Sequence, residues 1–266
     1  MSQDTFISHL IELRDRLLRS ILAVLAAFLV LFFYPGSAAI YDFLAAPLMH
    51  ALPEGTKMIA TGVITPFLVP VKITALVGFV AALPIVLYQA WAFVAPGLYA
   101  HEKKLVLPLV FASTLLFFLG IAFCYYFVFG KVFTFINHFA PKSITPAPDI
   151  EQYLNFVMTM FIAFGVTFEI PIIVVALARM GLVSVAQLQS VRPYVIVSAF
   201  VVAAVVTPPD VLSQLLLAIP MCLLYEMGVL AARLLTKKPA SDDRPLTDDE
   251  MEQELDRAEA ERRELK

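Results

Sequence analysis

Long apolar runs alternate with short polar stretches along the whole chain, and the breaks fall at proline, glycine or clustered charge. The first run, from about Leu17 to Tyr34, ends at Pro35-Gly36. Ahead of it Leu10, Leu13 and Leu17 recur at helical spacing, with Glu12 and Arg16 on another face, as in an amphipathic lead-in. From Ser37 to Val71 the prolines at 47, 53, 66 and 70 interrupt the apolar patches too often for a crossing, and small interfacial helices are expected. Ile73 to Val94 is 22 residues, enough for the ~30 Å hydrocarbon layer, with Pro84 predicting a kink. A charged, aromatic loop, Trp91 to Lys104, follows, and then a third span from Leu105 to Phe129. After a polar loop over 137–152, Tyr153 to Leu177 forms a fourth span interrupted by Gly165 and by Glu169-Ile170-Pro171.

The last two spans are expected to be short. Val195 to Val206 has 12 residues and covers about 18 Å. The run from Val211 meets Glu226 after 15 residues. Such a pair leaves a concavity beside the longer helices, with the Thr207-Pro208-Pro209-Asp210 turn sunk below the surface. Asp210 stands where the sixth helix starts, a position at which the helix dipole favours a negative charge.

Composition agrees. With 60% hydrophobic and 15% charged residues and a mean hydropathy of +0.83, the 266-residue chain reads as an all-α polytopic membrane protein with six transmembrane helices. The net charge of −3 belongs to the tail. Residues 237–266 hold 11 acidic and 7 basic groups, whereas 1–236 hold 11 and 12. We therefore divide the chain into a transmembrane domain, 1–236, and a disordered charged cytoplasmic tail, 237–266. Arg14, Arg16 and Arg19 before an apolar run imitate a cleavable signal peptide, but the patterned lead-in and the further spans favour a retained first helix. Six spans place ten Lys and Arg on one side, from Arg14 to Lys238, and only Lys57, Lys72, Lys131 and Lys142 on the other. The positive-inside rule then puts both termini in the cytoplasm.

Enzyme chemistry finds no support. Cys124 and Cys222 lie in apolar runs without metal-ligand spacing. His101-Glu102 opens like a zinc-protease motif but lacks the second histidine. No glycine-rich phosphate loop or nucleophile elbow is present, and no metal or cofactor is expected. Carboxylates remain. Glu12 can pair with Arg16 one turn on, and Glu102 can be a solvated loop charge. Glu169, ten residues before Arg179 and so ~15 Å into the membrane, must face the bundle interior or water, or be protonated.

His9 to Arg14 (HLIELR), Tyr88 to Lys104, Phe164 to Pro171, Arg192-Pro193-Tyr194, and Thr207 to Glu226 together resemble the TatC family, signal-peptide receptors of the bacterial twin-arginine protein translocase. The similarity runs from Thr5 to Leu235. It implies a concave, glove-shaped bundle in the inner membrane, working with TatA and TatB and self-associating in a receptor complex among membrane lipids, without nucleic acid. Folded precursors with twin-arginine signal peptides would be exported by the proton-motive force. By the same resemblance Glu12, Arg14, Phe93 and Glu102 would bind the signal peptide. Pro47 would shape a periplasmic cap, Glu169 would line the concave face, and Thr207, Asp210 and Gln214 would meet partner subunits. Two carboxylates held apart suit two guanidinium groups. The alternatives are a proton-coupled solute transporter using Glu169, which would call for an internal repeat that the unequal spans do not show, and a purely structural scaffold.

Overall fold

The computed structural model describes residues 2–51, 57–94, 106–139, 147–207 and 210–235. Among these the structure is helical throughout, with nine α-helices and an isolated β-bridge between Ile59 and Asp149. They are α1 (Ser2–Leu31), α2 (Ser37–Ala51), α3 (Thr65–Val94), α4 (Val106–Phe123), α5 (Phe129–Phe139), α6 (Ile150–Arg179), α7 (Val185–Ser190), α8 (Arg192–Val206) and α9 (Val211–Leu235). Five rods are long and apolar enough to cross a membrane, and α8 is a shorter apolar helix. The all-α class and its six apolar segments are as expected.

Several boundaries differ, each for a local reason. Lead-in and first span merge into one helix, α1, which stops at an extended Tyr34 (φ −150°, ψ 122°) and a left-handed Gly36 (φ +96°). The first part of the proline-rich segment forms a single 15-residue helix, α2, because its apolar residues Ile40, Leu44, Ala45 and Leu48 have a core to enter. Helix α3 starts at Thr65, eight residues before the expected Ile73, and carries Pro70 and Pro84 within it. The Thr74 hydroxyl caps the Pro70 carbonyl at 2.8 Å. A π-helical turn, Cys124–Val128, joins α4 to α5. Neither Gly165 nor Pro171 interrupts α6, which is continuous for 30 residues. Of the last two helices only α8 is short, its 15 residues rising about 22 Å. Helix α9 continues past Glu226 to 25 residues, because that carboxylate lies at the helix surface and pairs with Arg192 at 2.7 Å.

Helix packing follows the chain's small residues. Helix α1 lies along α3, α3 meets α4 and α6, α6 packs on α9, and α8 returns against α9. At Gly120 a β-carbon would come within 2.6 Å of the Phe164 carbonyl oxygen, so α4 and α6 approach this closely only because the side chain is absent. Buried Val128, Phe129, Phe133, Tyr153, Leu154 and Val157 join the apolar face of α2 in one core.

The two ends are chemically distinct. At one end the segment before α3 clasps the start of α6. Ile59 exchanges backbone bonds with Pro148 and Ile150, and Lys72 pairs with Glu151 at 3.0 Å. Asp149 caps α6, accepting from the amides of Glu151 and Gln152 through one oxygen and from Thr61 through the other. The Thr61 hydroxyl, then these amides, hold its carboxyl below the ordinary 3.8. Arg16, Arg179 and Arg192 make their contacts at the opposite end, which agrees with the charge partition expected from the six-span order.

Candidate functional site: a carboxylate patch and a buried acid

Glu12 is held on α1 by a one-turn pair, as its spacing from Arg16 predicts. Arg16 donates from Nε (2.9 Å) and from a terminal nitrogen (2.6 Å) to the same oxygen, Oε1. The second oxygen, Oε2, lies 3.9 Å from His9 Nδ1, too far for a hydrogen bond. His9, Glu12 and Arg16 share one face of α1, and that face meets α3. The His9 ring stacks on Phe93 with centroids 4.4 Å apart, and Arg16 reaches the Gln89 side-chain oxygen at 3.5 Å. The outcome is a shallow patch where Glu12, a third exposed, sits among an aromatic ring, an imidazole and a resident guanidinium.

Not every expected residue joins this patch. Phe93 does, but it and Trp91 lie within helix α3 rather than in a loop. Arg14 points elsewhere, paired with its neighbour Asp15 at 2.8 Å on an exposed face. Glu102, with the rest of 95–105, lies outside the described residues, as does the tail from 236. Sequence reasoning missed His9 and Gln89 as members. Gln89 carried a signal, a lone amide in an apolar span, and its 9% exposure shows that it is packed inward.

Glu169 was expected to face the bundle interior or water and to line the concave face. It is buried, 7% exposed, and accepts from the Ser113 hydroxyl of α4 at 2.6 Å. Ser113 in turn accepts from the Trp91 indole at 3.0 Å. The other Glu169 oxygen has no partner among the described residues.

Thr207, Asp210 and Gln214, at the end of α8 and the start of α9, each hold a local contact. Asp210 Oδ1 accepts from the Ser213 amide at 2.6 Å, the helix start its position predicts. The Thr207 hydroxyl returns to the Ala203 carbonyl, and the Gln214 amide reaches the Phe200 carbonyl at 3.3 Å. In α2, Pro47 leaves the Phe43 carbonyl without its helical N–H, and the Tyr125 hydroxyl supplies the missing donor at 2.7 Å. The buried Tyr153 hydroxyl donates to the neighbouring Leu44 carbonyl at 2.7 Å.

Comparison with known proteins places this architecture. The family model for the Sec-independent protein translocase protein TatC matches residues 8–220. The chain belongs to the TatC family. A relative from Haemophilus influenzae, named Sec-independent protein translocase protein TatC, is 50% identical over 232 residues, covering 87% of this chain and 90% of its own. A protein of the same name from Escherichia coli K12 is also 50% identical over 232 residues, covering 87% and 89%. A crystal structure described as a twin arginine translocase receptor, TatC, superposes with a TM-score of 0.76 at 39% identity, over 86% of this chain and 100% of that one. The chain is thus a component of the translocase family, a multi-pass membrane protein of the transport class. Among the described residues no cluster of three or more His, Cys, Asp or Glu could hold a metal ion.

Proposed function

We propose that this chain is the receptor subunit that binds twin-arginine signal peptides at the cytoplasmic face of the inner membrane. With TatA and TatB it then exports folded precursors at the expense of the proton-motive force. Both termini lie in the cytoplasm, and the α1–α3 patch faces the incoming precursor. The observation that carries this reading is the half-used carboxylate of Glu12. Arg16 already demonstrates that the site accepts a guanidinium, with two donors on Oε1, while Oε2 remains open beside His9 and Phe93. A signal-peptide arginine can take Oε2, with the Phe93 ring offering its π-face to the same cation. Glu102 supplies the second acceptor, Arg14, its charge offset by Asp15, lies on the same cytoplasmic face, and Thr207, Asp210 and Gln214 meet the partner subunits.

Binding of a labelled twin-arginine peptide to the purified full-length protein tests this. An exposed pair contributes ~0–1 kcal/mol, but a partly desolvated charged hydrogen bond contributes ~1.5–3 kcal/mol. Glu12→Gln should therefore weaken binding by roughly 10- to 100-fold. Replacing Arg-Arg by Lys-Lys in the peptide should cost less once Glu12 is already lost. Penalties that simply add would mean that the arginines are recognised elsewhere and Glu12 serves only the fold.

A further inference from the structure

Two hydrogen bonds link Trp91 through Ser113 to Glu169, so three helices, α3, α4 and α6, are tied by one polar chain. The chain has a fixed direction. An indole N–H can only donate, so Ser113 accepts it and turns its own hydrogen to the carboxylate. Ser113 is fully enclosed and Glu169 nearly so, and in such surroundings a made bond is strong and a broken one costly. The Thr114 hydroxyl beside Ser113 has no partner among the described residues and offers Glu169 no substitute bond. Outside the peptide patch, then, lies a buried acid with one oxygen fastened and the other unpartnered.

The turn of α3 that carries Trp91 is gripped from the opposite side as well. Gln89 and Phe93, four residues apart, share the face that meets α1, where they hold Arg16 and His9. Trp91 lies midway between them in sequence and about 200° round the helix, on the side of α4. The end of α3 is therefore a beam held at one face by the carboxylate patch and at the other by Glu169. We infer that Trp91 and Ser113 are positioning residues that carry occupancy of the α1–α3 patch to the buried carboxylate of Glu169. This rests on the reading that the patch receives the signal peptide. A guanidinium arriving at Oε2 shares the Glu12 carboxylate with Arg16 and repels its like charge, and the 3.5 Å contact from Arg16 to Gln89 is the weakest restraint on that face. Its loss frees the turn to move, and the turn moves by giving up the bond from Trp91 to Ser113. Ser113 then reorients, and both oxygens of Glu169 become available to a proton or to an outside donor.

Trp91 is the only tryptophan of the chain, so its emission reports the link without a label. We would record it in the full-length protein in micelles, with and without a tryptophan-free twin-arginine peptide, and measure peptide affinity separately by anisotropy. Peptide should shift Trp91 emission in the wild type and in Glu169→Gln, whose amide oxygen still accepts from Ser113. Gln89→Ala should shift it with no peptide present. Ser113→Ala should abolish both responses. It should also bind peptide more tightly, by about fivefold, because binding no longer breaks one ordinary hydrogen bond. A residue that merely supports the fold would not tighten a site on another face. The inference is overturned if peptide binds with emission unmoved, if Ser113→Ala binds equally or less tightly, or if Gln89→Ala shifts emission equally with Ser113 absent. Should the peptide fail to bind at all, the receptor reading falls, and an unchanged emission in Gln89→Ala would still dispose of the link.

Discussion

Helix α2 offers a test in which one missing N–H should decide whether a distant hydroxyl matters. Pro47 cannot donate to the carbonyl of Phe43 four residues back, and the Tyr125 hydroxyl occupies it at 2.7 Å. Tyr125→Phe removes that donor alone, since the ring keeps its stack on Phe43, with centroids 5.2 Å apart and planes 12° from parallel. The uncapped carbonyl should cost about 1–2 kcal/mol. In a Pro47→Ala background the restored amide closes the helical bond, and Tyr125→Phe should cost under about 0.5 kcal/mol. The coupling energy is then ~1 kcal/mol, within what a double-mutant cycle resolves. Unfolding titrations in detergent, followed by circular dichroism, give the four stabilities. Tyr153→Phe is the control. Its hydroxyl serves the Leu44 carbonyl, whose helical partner is the amide of Leu48, and its cost should not depend on residue 47. Equal penalties for Tyr125→Phe in both backgrounds would refute the argument.

Two further expectations follow from the packing and the clasp. Gly120→Ala should destabilise by about 1–3 kcal/mol, because its β-carbon would meet the Phe164 carbonyl oxygen and the Phe168 ring, whereas Gly130→Ala, with open space, should be neutral or stabilising; similar melting temperatures for the two would show that α4 and α6 are not in close contact. Asp149 has a depressed folded-state pKa, so its contribution is present above the ordinary 3.8 and is lost as pH falls through the lower folded value. Asp149→Asn should therefore flatten the acid limb of the stability profile below about pH 4, and an identical acid limb in wild type and variant would count against the clasp.

The class of this protein was written in its one-dimensional pattern. Long apolar runs admit few structures in a bilayer, because every backbone group must be satisfied within the helix, and so the six apolar segments and the shortness of α8 were legible from residue order alone. So was the Glu12–Arg16 pair, since one helical turn brings i and i+4 together whatever surrounds them. Helix ends were less legible. Pro47, Pro70 and Pro171 predict breaks by local rules, yet these helices continue. At Pro47 the hydroxyl of Tyr125, from outside α2, takes up the carbonyl that the proline leaves without a donor. Glu226 looked like the end of a span until Arg192, 34 residues earlier, gave its charge a partner. The sites depended most on tertiary structure. Gln89 against Arg16, His9 against Phe93 and Ser113 against Glu169 are separated by dozens of residues, and no local spacing encodes them. Only helix packing, set by small residues such as Gly78 against Phe28 and Gly120 against Phe164, fixes which polar side chains meet. A polar side chain inside an apolar helix announces that it needs a partner, and the bundle alone determines which one it finds.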